Sequence, residues 1–183
     1  TVRNIKYGDN QVNAVFTQGT TDEFLVTSIG TFSQGRFFSE TESRGGANIV
    51  VLGYDVAEAL FPSEPAVGKT VLIDGNPFRV IGVWTKMGTF LGLFSFDSYA
   101  VVPLPAFTKT FSSRLDTSIR VKVKDKEHLE AAKDELVGHM RRVRGLRPEQ
   151  PNDFEINDQG ALRSTLGPIK GGIAVAGLFV TAS

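Results

Sequence analysis

The stretch that most constrains the fold is residues 48 to 83, NIVVLGYDVAEALFPSEPAVGKTVLIDGNPFRVIGV. It opens on an apolar run, Ile49 to Leu52, whose β-branched composition predicts a buried strand. Gly53 breaks the run, and Asp55 with Glu58 three residues on marks a helix start. That helix would turn Val56, Ala57, Leu60 and Phe61 inward and stop at Pro62, which cannot continue it. Two more apolar runs, Thr70 to Ile73 and 78 to 83, flank Asp74-Gly75-Asn76-Pro77, a strong hairpin signal. Strand, short helix and hairpin make a compact α+β unit.

The flanks extend the pattern. Residues 11 to 17 alternate well enough for a half-buried strand. Thr20 and Glu23 form a capping-box pair ahead of Phe24, Leu25, Val26 and Ile29, so a short helix is expected, ended by Gly30. Residues 35 to 46, GRFFSETESRGG, predict a turn with two aromatic anchors and then a polar loop. Residues 84 to 96 are expected as a loop, and 98 to 104 as a strand closed by Pro103 and Pro105. Further on, Ile119, Val121 and Val123 alternate with Arg120, Lys122 and Lys124, the pattern of another half-buried strand. Asp125 is placed to cap a helix whose Leu129, Ala132, Leu136, Met140 and Val143 form one apolar stripe, ended by Gly145 and Pro148. Residues 153 to 158 predict a last short strand.

Strand–helix at the start and strand–helix–strand at the end predict an α+β fold, a split βαβ layer with a smaller, mainly β piece inserted near 35–105. The 183 residues suffice for one large domain or two small ones, and 41% hydrophobic with 22% charged residues suits a folded chain. Twenty basic residues balance twenty acidic ones, so no overall field attracts nucleic acid, and zero cysteines exclude disulfides and thiol chemistry. Residues 169 to 183, IKGGIAVAGLFVTAS, are apolar and small after Lys170. They fit a buried terminal helix or the first turns of a membrane helix, and the small residues favour the second.

Catalytic patterns fail one by one. Gly68-Lys69-Thr70 resembles the end of a phosphate-binding loop, but position 63 is serine and a strand, not a helix, is expected after it. Gly30 to Gly35 misses the nucleophile-elbow spacing by one residue. His128 and His139 stand eleven residues apart on the expected helix, about 16 Å along its axis, too far to share a metal. The carboxylates fall at helix starts or in polar loops. No catalytic, metal or cofactor-binding residue stands out.

Two surfaces are candidates for contacts. Residues 87 to 96, MGTFLGLFSF, carry no charge and combine Phe90, Leu91, Leu93, Phe94 and Phe96 with flexible glycines. They either close over a core or form an apolar tip that meets a partner. Arg141, Arg142, Arg144 and Arg147 are the basic cluster, either a solvated helix end or a contact with anionic lipid or a partner subunit.

LFPSEPAVGKTVLIDGNPFRVIGV, preceded by GRFF at 35–38 and followed by VVPLPAF at 101–107, resembles the periplasmic core domain of MacB-type ABC transporter permeases. The resemblance runs from about Val15 to the C-terminus. It implies a discontinuous porter-like (ferredoxin-like) subdomain, 1–34 with 106–168, an inserted sabre-like subdomain, 35–105, and the start of a transmembrane helix at 169–183. By resemblance, the domain lies on the extracytoplasmic side of the inner membrane, binds no cofactor and performs no bond chemistry. ATP is hydrolysed in a separate nucleotide-binding subunit or domain, and the movement is used to expel or extract amphipathic substrates. A homodimer or paired permease subunit, and a periplasmic adaptor, are the partners the resemblance implies. The alternatives are a ligand- or protein-binding scaffold of a membrane-anchored protein outside transport, and a small hydrolase, for which no nucleophile–base pair is found.

Overall fold

The computed structural model describes residues 1–28, 30–90, 94–111, 117–158 and 177–182. Its contacts divide the chain into two units, Thr1–Ser113 and Arg114–Ser183. Unit 1 contains β1 (Val2–Tyr7), β2 (Asn10–Thr20), α1 (Phe24–Thr27), β3 (Phe32–Gly35), α2 (Glu40–Arg44), β4 (Ile49–Leu52) and α3 (Tyr54–Leu60). It continues with β5 (Thr70–Ile73), β6 (Asn76–Trp84), β7 (Thr89–Phe90), β8 (Phe94–Ser95), a 3₁₀ turn (Phe96–Ser98), β9 (Tyr99–Pro103) and α4 (Leu104–Phe111).

Seven strands form one sheet in the order β3-β6-β4-β9-β2-β1-β5, and β5 also pairs with β6. That last pairing closes six strands into a ring. It is possible because β6 is long: its first residues pair with β5 and its last with β3 along the same edge, while β4 occupies the other. Asp74 and Gly75, at φ 45° and 83°, form the two-residue turn between β5 and β6, the primed geometry that suits strand twist. Asn76 and Pro77, expected in the turn, are the first residues of β6. The Asp74 carboxylate accepts from Asn4 N (3.0 Å) and Arg3 Nη1 (3.2 Å), tying the turn to β1.

One core cluster joins Phe37, Phe38, Ile49, Val51, Ile81, Trp84, Tyr99 and Val101, with Phe24 and Phe32 against it. Elsewhere in unit 1, Phe78 stacks on Phe111 at 6.0 Å, and Phe107 lies so close to Gly19 that a Cβ there would come within 2.6 Å of its side chain. The helix expected inside 48–83 is present as α3, with Val56, Ala57, Leu60 and Phe61 buried. Its N-cap is Gly53 without a side-chain bond, while Asp55 lies in the first turn, where the helix dipole favours a carboxylate.

Unit 2 contains β10 (Thr117–Lys122), a 3₁₀ turn (Lys126–His128), α5 (Leu129–Arg144), β11 (Phe154–Asp158) and β12 (Gly177–Ala182). Its antiparallel sheet has the order β10-β12-β11. Met140 of α5 and Phe154 of β11 form the buried pair of a small core with Leu136, Val137, Leu146 and Ile156. Gly145 ends α5 in the left-handed region, as its position predicts. The expected Asp125 cap is replaced by His128, whose N–H bonds Asp125 O at 3.2 Å within the preceding turn.

The α+β class stands, and several expectations are corrected. Within unit 1, β1 and β2 lie in the ring beside β5 and β9. Residues 177–182 are strand, not the start of a membrane helix. This strand pairs with β10 on one side and β11 on the other, whose facing edges would otherwise be unpaired. The remainder of 169–183 lies outside the described residues, and among the described residues no helix is long and apolar enough to cross a membrane. The polar loop expected after GRFF holds a helix, α2, and the strand expected to close at the prolines runs into α4. Pro105 is tolerated in α4 because the first turn has no intrahelical partner for a backbone N–H.

Candidate interaction surface

The uncharged stretch 87–96 is a short hairpin, β7 paired with β8 through Thr89↔Ser95 and Phe90↔Phe94. Phe90 and Phe94 therefore stand on its strands and Phe96 in the 3₁₀ turn that follows, while Leu91 and Leu93 lie outside the described residues. The base of the hairpin is held by a residue the sequence did not single out. Asp97, 1% exposed, accepts from Met87 N at 2.8 Å and Gly88 N at 2.7 Å, one through each carboxylate oxygen. A buried carboxylate is retained when such donors meet it. The available signal was a lone acid bracketed by two uncharged apolar runs. Beside it, Thr85 N donates to Thr31 O at 2.8 Å and Thr31 Oγ1 to Thr85 Oγ1 at 3.1 Å, binding the strand leaving α1 to the end of β6. Trp84, expected in a loop, is the last residue of β6, fully buried and stacked on Phe32 at 4.4 Å.

The arginine cluster divides. Arg141 donates to Arg147 O (2.6 Å), Pro148 O (3.3 Å), Gln150 O (3.0 Å) and Asn152 Oδ1 (2.6 Å), so it organises the loop after α5. Arg144 grips Asp153 through Nε and Nη2 at 2.7–3.1 Å and holds that carboxyl below its usual range. Arg142 and Arg147 are exposed, so the structure does not bring four free guanidiniums together. His128 lies 3.7 Å from Asp125 and His139 3.5 Å from Glu135, each exposed. Lys69 pairs with Glu64, and Thr70 after it begins a strand, which leaves no helix N-terminus to receive a phosphate.

GRFFSETE has a connected geometry. Phe37 and Phe38 enter the core stacked at 3.9 Å. Ser39 and Glu42 form a capping box for α2, and Arg36 binds the Glu42 carboxylate in bidentate fashion at 2.7 and 2.8 Å. The Arg36 guanidinium, followed by the Ser39 backbone N–H, lowers the Glu42 pKa to about 2. A depressed carboxyl pKa stabilises the fold above the unfolded value near 4.5, and this contribution fades as pH falls through about 2. Replacing Glu42→Gln should remove this acid-dependent part of stability, about 1–2 kcal/mol after screening at a partly exposed site. Melting temperatures of both proteins between pH 7 and pH 2 test it: parallel curves would show that Glu42 carries none of the acid sensitivity.

This fold matches a family model described as the MacB-like periplasmic core domain over residues 1–138. The chain belongs to that family. It is 27% identical over 187 residues to the pyoverdine export ATP-binding/permease protein PvdT of Pseudomonas aeruginosa, covering 96% of this chain and 27% of that protein. The macrolide export ATP-binding/permease protein MacB of Nitrosomonas europaea is 43% identical over 76 residues, 40% of this chain and 11% of the relative. The periplasmic region of MacB from Actinobacillus actinomycetemcomitans superimposes with a TM-score of 0.64 at 20% identity, covering 79% of this chain and 64% of that one. The extracellular domain of the transporter YknZ from Gram-positive bacteria gives the same TM-score at 17% identity, covering 80% and 73%. The chain thus spans about a quarter of the length of its PvdT relative.

Proposed function

We propose that these residues form the extracytoplasmic domain of an ABC exporter permease in the inner membrane. The observation that carries this reading is the alignment of 96% of the chain with an export ATP-binding/permease protein. In this role the domain makes and breaks no bonds. It passes on the conformational change that a nucleotide-binding domain drives from the cytoplasmic side, and an amphipathic molecule leaves as a result. A homodimer or paired permease subunit, with a periplasmic adaptor, completes the assembly. The absence of cysteine makes the test simple. In the full-length protein cleared of other cysteines, Val143→Cys, at a site 81% exposed, should react in intact cells with a maleimide that cannot cross the inner membrane. Reaction only after lysis would sink the transporter reading and leave a binding scaffold elsewhere in the cell.

A further inference from the structure

Asp74 is the one Asp or Asn of the chain that precedes a glycine. That dipeptide is chemically labile, because glycine has no side chain to shield its nitrogen from the neighbouring carboxyl. Gly75 stands open in the structure: at φ 83°, a Cβ there would meet nothing within 4 Å. The fold restrains the other reactant. Asp74 Oδ1 accepts from Asn4 N at 3.0 Å and Oδ2 from Arg3 Nη1 at 3.2 Å, so both oxygens are held on β1. Asp74 N also donates to Asn4 O at 2.9 Å. This hold is as firm as the seam between β1 and β5, which is short, with Ile5 and Lys6 in register with Ile73 and Leu72. Ile5 alone of β1 is buried. A seam with so few apolar contacts opens locally, at less cost than unfolding the unit.

We propose that Asp74–Gly75 is a site of spontaneous aspartyl isomerisation that β1 keeps closed, so that the modification marks chains whose β1–β5 seam has opened. In the reaction Gly75 N bonds to Asp74 Cγ and a Cγ–O bond breaks. The oxygen leaves as water, with the amide proton and one from solvent, and a five-membered succinimide remains. Water then adds to the Asp74 α-carbonyl carbon, the bond from that carbon to Gly75 N breaks, and the chain runs on through Cγ as isoaspartate. One water is lost and one is gained, and no oxidant or cofactor takes part. Ring closure swings Cγ over the Gly75 nitrogen, so both bonds to β1 must break first. The product adds a backbone carbon to a two-residue turn whose geometry has no room for it. Its free carboxylate then stands on Cα, no longer at the end of a side chain that reaches Asn4 N. The ties to β1 cannot re-form, and a passing opening becomes permanent.

The test ages purified full-length protein at neutral pH and digests it with trypsin, which releases residues 70–79 as one peptide. The isoaspartyl form has the same mass and separates by chromatography, while the succinimide is one water lighter. Isomerisation should be slow in the folded protein and fastest in urea. Arg3→Met keeps a long side chain against Phe111 but cannot bind Oδ2, and should react roughly three- to tenfold faster than wild type. Glu42→Gln weakens the fold at α2 instead, and should stay within about twofold of wild type. Isomerised protein should exchange the Ile5 and Lys6 amides faster than fresh protein. Four results would each overturn the proposal. Folded wild type could react as fast as the chain in urea, or Arg3→Met no faster than wild type. Glu42→Gln could match Arg3→Met, which would place the reaction in global unfolding. Isomerised protein could keep full protection at Ile5 and Lys6.

Discussion

Trp84→Ala should cost unit 1 about 3–5 kcal/mol, the range for an aromatic side chain removed from a packed core. Trp84 is fully buried, stacks on Phe32 at 4.4 Å and tilts against Phe37 at 6.0 Å. Its ring also fills the space beside Gly30, so the cavity would open where α1 and the hairpin base are anchored. A domain stable by roughly 5–15 kcal/mol loses much of its margin in one such change. Thermal unfolding followed by far-ultraviolet circular dichroism measures it. A loss below about 1 kcal/mol would mean that the surrounding phenylalanines collapse into the space.

Gly53→Ala should be almost as damaging for the opposite reason. Its φ of −66° is open to any residue, so conformational strain is not the issue. A Cβ would lie 2.3 Å from Asp97 O, 2.7 Å from Asp97 C and 3.0 Å from Tyr99 N, all of them backbone atoms. Gly53 N also donates to Tyr99 O at 2.7 Å, so the two segments cannot part without losing that bond. We expect a loss of about 2–4 kcal/mol, as for overpacking against atoms that cannot turn aside. Displacing Asp97 should also free the Met87 and Gly88 amides, and hydrogen exchange at these two positions should quicken well beyond the loss of global stability. Unchanged protection there would show that Asp97 does not hold the hairpin.

Local signals were legible because they need no distant partner. Asp74-Gly75 sets its own turn, Gly145 its own helix end, and the apolar face of α3 follows from helical spacing. What escaped notice depends on residues far along the chain. β1, with only Ile5 buried among Arg3, Asn4 and Lys6, has too weak an alternation to mark a strand, and it is held by β5 and β2. The capping box of α2 was present in SETE, but no apolar run followed it, and Arg36 supplies the stabilisation that burial does not. The unit boundary depends on β2 pairing with β9 in parallel, a register that no local pattern encodes. At the candidate surface, the neutrality of 87–96 was visible at once, whereas its meeting with 24–35 and the clamp at Asp97 required the fold. In the arginine cluster, charge alone does not reveal which guanidiniums are held by Asp153 or by the carbonyls of Arg147, Pro148 and Gln150.

The closed ring bears on how the protein is made. β1 and β2 can pair as soon as they emerge, but their outer edges are filled only by β5 and β9, the latter ending at Pro103. Until then the nascent chain carries two open strand edges, the form most prone to join another chain. Closure over such sequence separations is slow compared with forming a helix or a hairpin. The exposed Lys6 on β1, in the row that later meets β5, is the sort of charge that keeps a waiting edge from finding the wrong neighbour.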